Sequence, residues 1–176
     1  MSRLLLLLIC VFSTNILIVN VHAENIYLEP QSFVKQQFSN NPPQAKVVWL
    51  NKTLKTKLAT ILQHEYIGLR IRYWQDNQGA NKTVWVLNEI GKDKNITLGI
   101  TVVNQKIKIV KVLVFRESRG WEVKHDFFTQ QFKGIFLKDD KSLSRSIDGI
   151  TGATLSVRAV KKMTTIALLL DRLVQP

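Results

Sequence analysis

An α+β fold is predicted, with a twisted antiparallel sheet packed against a long C-terminal helix and shorter helices before and after the sheet. Three observations predict it. Apolar and other residues alternate with period two through 69–74 and 96–103, the signature of half-buried strands, and 83–90 (TVWVLNEI) and 106–115 (KIKIVKVLVF) read as a return strand and a long strand joined to them. Residues 156–174 instead repeat at helical spacing through Val160, Met163, Ala167, Leu170 and Val174, joined by Ile166 and Leu173. The body starts after a sharp break, Asn40-Asn41-Pro42-Pro43.

In chain order, Pro30 suits the first position of a helix, which places a short one at 31–38. Leu54, Leu58, Ile61 and Leu62 make 52–64 an amphipathic helix. Leu69, Ile71 and Tyr73 then alternate with Arg70, Arg72 and Trp74, and a turn containing Gly79 leads to the return strand 83–90. Asn104-Gln105 joins the next two strands, giving four or five strands in all. Arg116 to Gly120 is a turn, 125–132 a short helix with an aromatic side, and 134–145 a polar connection. Trp49, Trp74 and Trp85 are expected as packing, and the Met and Leu of the last helix as core.

Composition narrows the chemistry. The 176 residues are 45% hydrophobic and 22% charged, proportions of one globular domain, two at most. Residues 1–23 combine Arg3, an unbroken apolar run from Leu4 to Phe12, and Val21-His22-Ala23 before Glu24. They are an export signal, or an uncleaved anchor, since apolar residues resume at Ile16. Either way the remainder is translocated, to the periplasm or cell envelope. The one Cys, Cys10, lies in this run, so a cleaved chain would have no thiol. Disulfides, Cys-based zinc sites, iron–sulfur clusters and cysteine nucleophiles are then excluded together. Three His, one beside the cleavage site, do not make a metal site, and His64 and His125 are given no catalytic role.

The net charge is +12, with Lys and Arg scattered and no block of like charges. A nucleic-acid partner would need a concentrated patch and a known motif, and neither is present. The charge is a solvated surface, or it attracts anionic lipid head groups or acidic redox partners.

Asp148 to Thr154 (D-G-I-T-G-A-T) is the segment that carries chemistry. Its two Gly permit backbone conformations and ligand approach closed to other residues. Thr151, Thr154 and Ser156 place three hydroxyls at a helix start, whose free N–H groups and positive dipole end favour a phosphate. The plainer alternative is a Gly-rich turn into a helix capped by Thr154 or Ser156. No Gly-Lys-Ser/Thr follows, so it is not a P-loop, and the spacing is not that of a dinucleotide-binding fingerprint.

The seven residues resemble the flavinylation motif of the FMN-binding domain family, found in the NqrC and RnfG subunits of membrane redox pumps and in small exported flavoproteins. The likeness extends upstream through 115–123 (FRESRGWEV) and Phe127, Phe128, Gln131, Phe132 and Gly134, and downstream through Leu155 to Val160, covering about 80–174. It implies a domain at 44–176, preceded by an N-terminal extension at 24–43 whose role is open. It further implies that a separate flavin transferase attaches FMN through a phosphoester to the last Thr of the motif, here Thr154. The base and metal for that reaction would belong to the transferase. The chain would then be an exported electron-transfer carrier, without a catalytic acid–base pair of its own, between a membrane redox system and an envelope acceptor. Asp148 would be read by the transferase, or caps the turn. Gly149 and Gly152 would let the backbone fold against the phosphate, Ala153 would keep bulk away, and Thr151 would donate to a phosphate oxygen or close the turn. Leu155 and Ser156 open the helix. Arg116 and Glu117 lie where the family places residues near its flavin, and Arg158 lies one turn after Thr154, each with the alternative of a solvated side chain. Trp121, Phe127 and Phe128 would wall the flavin ring, or are core. Two other readings compete: a non-enzymatic envelope binding module with a basic sheet surface, and an enzyme that binds FMN reversibly.

Overall fold

The computed structural model describes residues 24–76 and 81–175. The expected signal at 1–23, and Gly79 of the expected turn, lie outside these residues. The core of the fold is one six-stranded antiparallel sheet in the order β1-β6-β5-β4-β3-β2. Strands β3 (Arg70–Gln75), β4 (Lys82–Ile90), β5 (Asn95–Val103) and β6 (Lys106–Phe115) form the meander that the sequence predicts. Asn104 and Gln105, with φ of 49° and 60°, make the tight β5–β6 turn whose twist matches that of the strands.

The sheet is wider than the alternation indicates. β1 (Asn25–Ile26) adds to β6 at one edge and β2 (Lys46–Trp49) to β3 at the other. Two- and four-residue strands are too short to show a period, which is why they are silent in sequence. Between them runs α1 (Pro30–Gln37), with Pro30 in its first turn. Its Phe33 and Val34 are buried with Trp74, Val84, Leu113 and Val114 on one face of the sheet. The 24–43 stretch is therefore built into the domain.

Gly99 of β5 makes room for this packing. A Cβ there would lie 2.5 Å from the Phe33 ring. Gly99→Val is expected to destabilise by about 1–3 kcal/mol, as overpacking does, with Gly99→Val/Phe33→Ala losing less than the sum of the two changes. Strict additivity in thermal unfolding would show that the contact is not the cause.

The opposite face holds the larger core, covered by α2 (Lys52–Leu62) and α4 (Thr154–Val174). Asn51 caps α2, its side chain accepting the Leu54 N–H at 2.8 Å. Val160, Met163, Ile166, Ala167 and Leu170 of α4 are buried as the stripe predicts, but Leu173 is exposed, although its neighbour Val174 packs against the core. Trp85 is core and Trp74 is buried, whereas Trp49 is 67% exposed. It sits on edge strand β2, where no further strand covers it, with the Arg70 guanidinium 5.7 Å from its ring centre.

Asp171 anchors the far end of α4 on β4. Its fully buried carboxylate accepts the Thr83 hydroxyl at 2.5 Å, and Thr83 Oγ1 accepts the Trp85 indole N–H at 2.8 Å. The second carboxylate oxygen has no partner among the described residues. Burial pushes the Asp171 carboxyl above its ordinary range. Its stabilising effect is therefore complete below the unfolded-state value of about 4 and fades as pH rises through the raised folded value. Asp171→Asn should remove this dependence: its Tm relative to wild type rises as pH goes from about 4 to 7. A Tm difference constant with pH would contradict this.

Candidate functional site

The motif folds as a turn that delivers a bare helix start to the surface. The Ala153 N–H donates to the Ile150 carbonyl at 3.0 Å, closing a turn over Thr151 and Gly152. Gly152 has φ of 82°, the left-handed value that the third position of such a turn demands of glycine. Beyond Gly149 and Gly152 the space is open: a Cβ would meet nothing within 4 Å at either.

The residue preceding the helix is Ala153, and no side chain caps it. This corrects the expectation that Thr154 or Ser156 caps α4. The turn brings the chain into helical geometry one residue sooner, so Thr154 is the first helical residue and Ser156 the third. The leading N–H groups of a 21-residue helix are thus left for something outside the chain.

The three hydroxyls are not equivalent. Thr154 and Thr151 are exposed. Ser156 is 4% exposed, packed under Gly120, where an added Cβ would collide with its Oγ. Gly120, at φ of 82°, also lies close over Ala153, which is buried. Small size at 153 therefore answers to the 116–120 turn behind the motif. Asp148 is exposed, and its N–H donates to Gln131 Oε1 at 2.8 Å. Arg145 donates to the carbonyls of Gln131 and Lys133 at 2.5 and 2.9 Å. The α3 region (Asp126–Thr129 and the 3-10 turn after it) thus braces the segment leading into the motif.

A groove of about 1040 Å³ opens beside Thr154. Its floor is the exposed face of α4, where Thr154, Arg158, Lys161, Lys162 and Thr165 recur at helical spacing. One wall is Ile61 and Gln63 at the end of α2, and the other is the 138–146 loop. At the other flank of the helix start, Leu155 is exposed, and α4 touches the 3-10 turn Trp121–Lys124. Trp121 is exposed there, its ring edge-on to His125 at 5.4 Å, with Phe127 beyond at 64% exposure. Phe128 is core, against Phe132 at 5.5 Å.

Of the residues singled out in sequence, Thr154 and Arg158 meet in the groove, and Leu155 lies on the other flank of the helix start. Arg116 and Glu117 do not join them. Arg116 donates to Thr97 Oγ1 at 2.9 Å and pairs with Glu24, tying β6 to β5 and to the start of the described chain. The Glu117 carboxylate accepts backbone N–H groups of the β4–β5 turn.

Two features escape the motif-based reading. Lys161 and Lys162 continue the Thr154–Arg158 face, a pattern visible in sequence once 154 is taken as the helix start. The other is a trio, invisible in sequence because its members are far apart. His64 Nε2 lies 3.0 Å from the carboxylate of Glu89, and Lys162 Nζ lies 3.3 Å from the same oxygen. Glu89 is 5% exposed. The Glu65 carbonyl, accepting from Nδ1, and then Glu89 hold the His64 ring above its ordinary pKa. The trio joins α2 to α4 at the end of the groove.

No curated protein sequence matches the chain significantly. Among solved structures, the C-type subunit (NqrC) of the Na(+)-translocating NADH-quinone reductase from Parabacteroides distasonis is similar in fold, with a TM-score of 0.50 and 19% identity, covering 81% of this chain and 83% of that one. The sequence model of the FMN-binding domain matches residues 91–169, which include the whole motif, Arg116, Glu117 and Arg158. From the β4–β5 turn through most of α4, the chain is similar to the FMN-binding domain family.

Proposed function

We propose that the protein is an exported flavoprotein that holds FMN through a phosphoester to Thr154 and relays electrons between a membrane redox system and an envelope acceptor. The observation that carries the reading is the placement of Thr154. Its side chain is exposed, at an uncapped helix start within the FMN-binding domain match, with open space over Gly149 and Gly152 and the exposed Leu155 and Trp121 on the flank away from the groove to take a tricyclic ring.

The residues fit the group. The first N–H groups of α4 and the Arg158 side chain one turn on would stabilise a phosphate oxygen anion. The open space over Gly149 and Gly152 would admit the phosphate and the ribityl chain. Leu155 and Trp121 offer apolar surface to one side of the helix start. Bound FMN would supply the redox chemistry, and the chain would position it and leave its edge open to partners.

Thr154 is a weak nucleophile, and among the described residues no His or carboxylate lines the groove beside it to act as its base. Attachment therefore falls to a separate transferase. The Thr154 Oγ–P bond would form as the bond from phosphorus to the leaving group of an activated flavin nucleotide breaks, and the hydroxyl proton would pass to the transferase. The tether holds the flavin at an effective concentration of about mM or more, which matters where free flavin is scarce. The structural neighbour is named as part of a Na(+)-translocating reductase, and moving Na(+) requires a membrane, which agrees with a membrane redox partner for this chain. The apolar 1–23 segment supports export.

The test is expression of the full chain in a host that exports it and contains a flavin transferase. The expected protein is yellow, keeps its colour in denaturant, and is reversibly bleached by dithionite. A colourless chain of unmodified mass overturns the reading, and flavin released by denaturant selects the reversible enzyme.

A further inference from the structure

The geometry points to a docking site for an acidic segment of a partner protein in the groove that begins at Thr154. The charge there exceeds what the flavin phosphate can use. Six cations line the groove: Lys138, Lys141, Arg145, Arg158, Lys161 and Lys162. Among the described residues, no Asp or Glu lines it. Among the described residues, Lys141, Arg145, Arg158 and Lys161 have no carboxylate within ion-pair distance, and Lys162 alone of the six is in an ion pair, with Glu89. The loop does contain Asp139 and Asp140. Asp140 turns back on its own loop, its carboxylate accepting the Ser142 N–H at 2.8 Å, with Lys138 near enough to help hold it ionised.

A flavin phosphate esterified to Thr154 keeps one ionisable oxygen, and the α4 N-terminus and Arg158 suffice for it. Lys161 lies two turns further along α4, and Lys138 and Lys141 stand on the opposite wall. Leaving so many like charges together without a counter-charge is unfavourable unless an anion takes their place in the complex. The shape selects the class of anion. From Thr154 to Thr165 the floor runs about 16 Å at 1.5 Å per residue. That is the length of about five residues of extended chain. A concave trough of this length suits a strand of Asp and Glu better than it suits the flat surface of a bilayer. Ser144 and Ser146 on its side can donate to carboxylates or to peptide carbonyls. Because the trough starts at Thr154, a partner held in it is also held beside the flavin, which is where electrons must pass. The inference deepens the proposed function, although the charge and shape of the groove do not depend on it.

The experiment uses the full chain and a fluorescent hexaglutamate peptide, read by anisotropy. Binding should weaken steeply between about 50 and 300 mM salt. Lys141→Glu/Lys161→Glu should weaken it by about tenfold or more. Lys108→Glu/Lys111→Glu, which makes the same change in net charge on β6 away from the groove, should cost less than about threefold. Equal losses from the two pairs would reduce the effect to net charge and overturn the proposal. So would a peptide that fails to bind while tripolyphosphate or phosphatidylglycerol vesicles bind in a Lys141- and Lys161-dependent way, which would assign the groove to a small phosphate ligand or to membrane. A wild-type chain without flavin that still binds the peptide through Lys141 and Lys161 would defeat the flavin reading and leave the docking site standing. A flavinylated chain with no groove-dependent binding would do the reverse.

Discussion

Thr154→Ala made in the transferase-containing host is expected to carry no covalent flavin at all, while Thr154→Ser keeps it. The effect should be all or none, because the bond either has its oxygen or lacks it. It should also be clean. Thr154 is exposed, opens α4 and caps nothing, and Ala is the better helix former, so stability should change by no more than about 0.5 kcal/mol. Loss of colour with unchanged Tm therefore separates attachment from folding. Intact mass is the measurement, and the structure says which result would count against Thr154. Ser156 is packed beneath Gly120 and unreachable in the folded protein. Thr151 is exposed in the same turn. A Thr154→Ala variant that still gains the flavin mass would move the attachment to Thr151, and Thr151→Ala would then be the variant that loses it.

The contrast between Thr154 and Arg116 shows what sequence can and cannot reveal about this site. The motif has a local cause: a left-handed glycine, a turn and a helix start are all set within a few residues. Its geometry is therefore readable, apart from the shift of one or two residues that puts Ala153 at the cap position. Arg116 and Glu117 are drawn toward the site only by position at a strand end, and a strand end does not say which way a side chain goes. The β5 neighbour Thr97 and the distant Glu24 hold Arg116, and no spacing in the sequence brings those residues together. The same distinction runs through the fold. β4, β5 and β6 are long runs rich in β-branched and apolar residues and α4 is long enough to show a stripe, so they are legible. β1 and β2 are too short. Trp49 defeats the packing expectation because size and apolarity predict burial only when something covers the position. The groove wall at 138–146 reads in sequence as a polar connection, since its cations acquire meaning only when the fold sets them opposite Lys161.

Glu117→Ala should destabilise the domain by about 3 kcal/mol, the upper range for hydrogen bonds to a charged group. The carboxylate is 9% exposed, and one oxygen accepts the N–H groups of Lys92, Asp93 and Lys94 at 2.5, 2.8 and 2.9 Å. Those three amides form the β4–β5 turn, and without the carboxylate they converge on nothing. Gly91 belongs to the same clamp, since a Cβ there would sit 2.8 Å from that oxygen. Glu117→Gln keeps an acceptor oxygen but loses the charge, so it should cost about half as much. For a domain of this size, 3 kcal/mol corresponds to a fall in Tm of about 6–12 °C. The pair of variants also decides what Glu117 is for. A clamp predicts that Tm falls in the order wild type, Gln, Ala, while the covalent flavin content of protein kept folded is unchanged and its visible spectrum does not move. A residue in contact with the flavin predicts the opposite: Glu117→Gln would shift the spectrum or the midpoint potential with Tm near wild type. The geometry favours the clamp, because the oxygen is already committed to three donors on the far side of the 116–120 turn. That turn packs Gly120 against Ala153 and Ser156, so the β4–β5 turn and the start of α4 are braced through the same few residues.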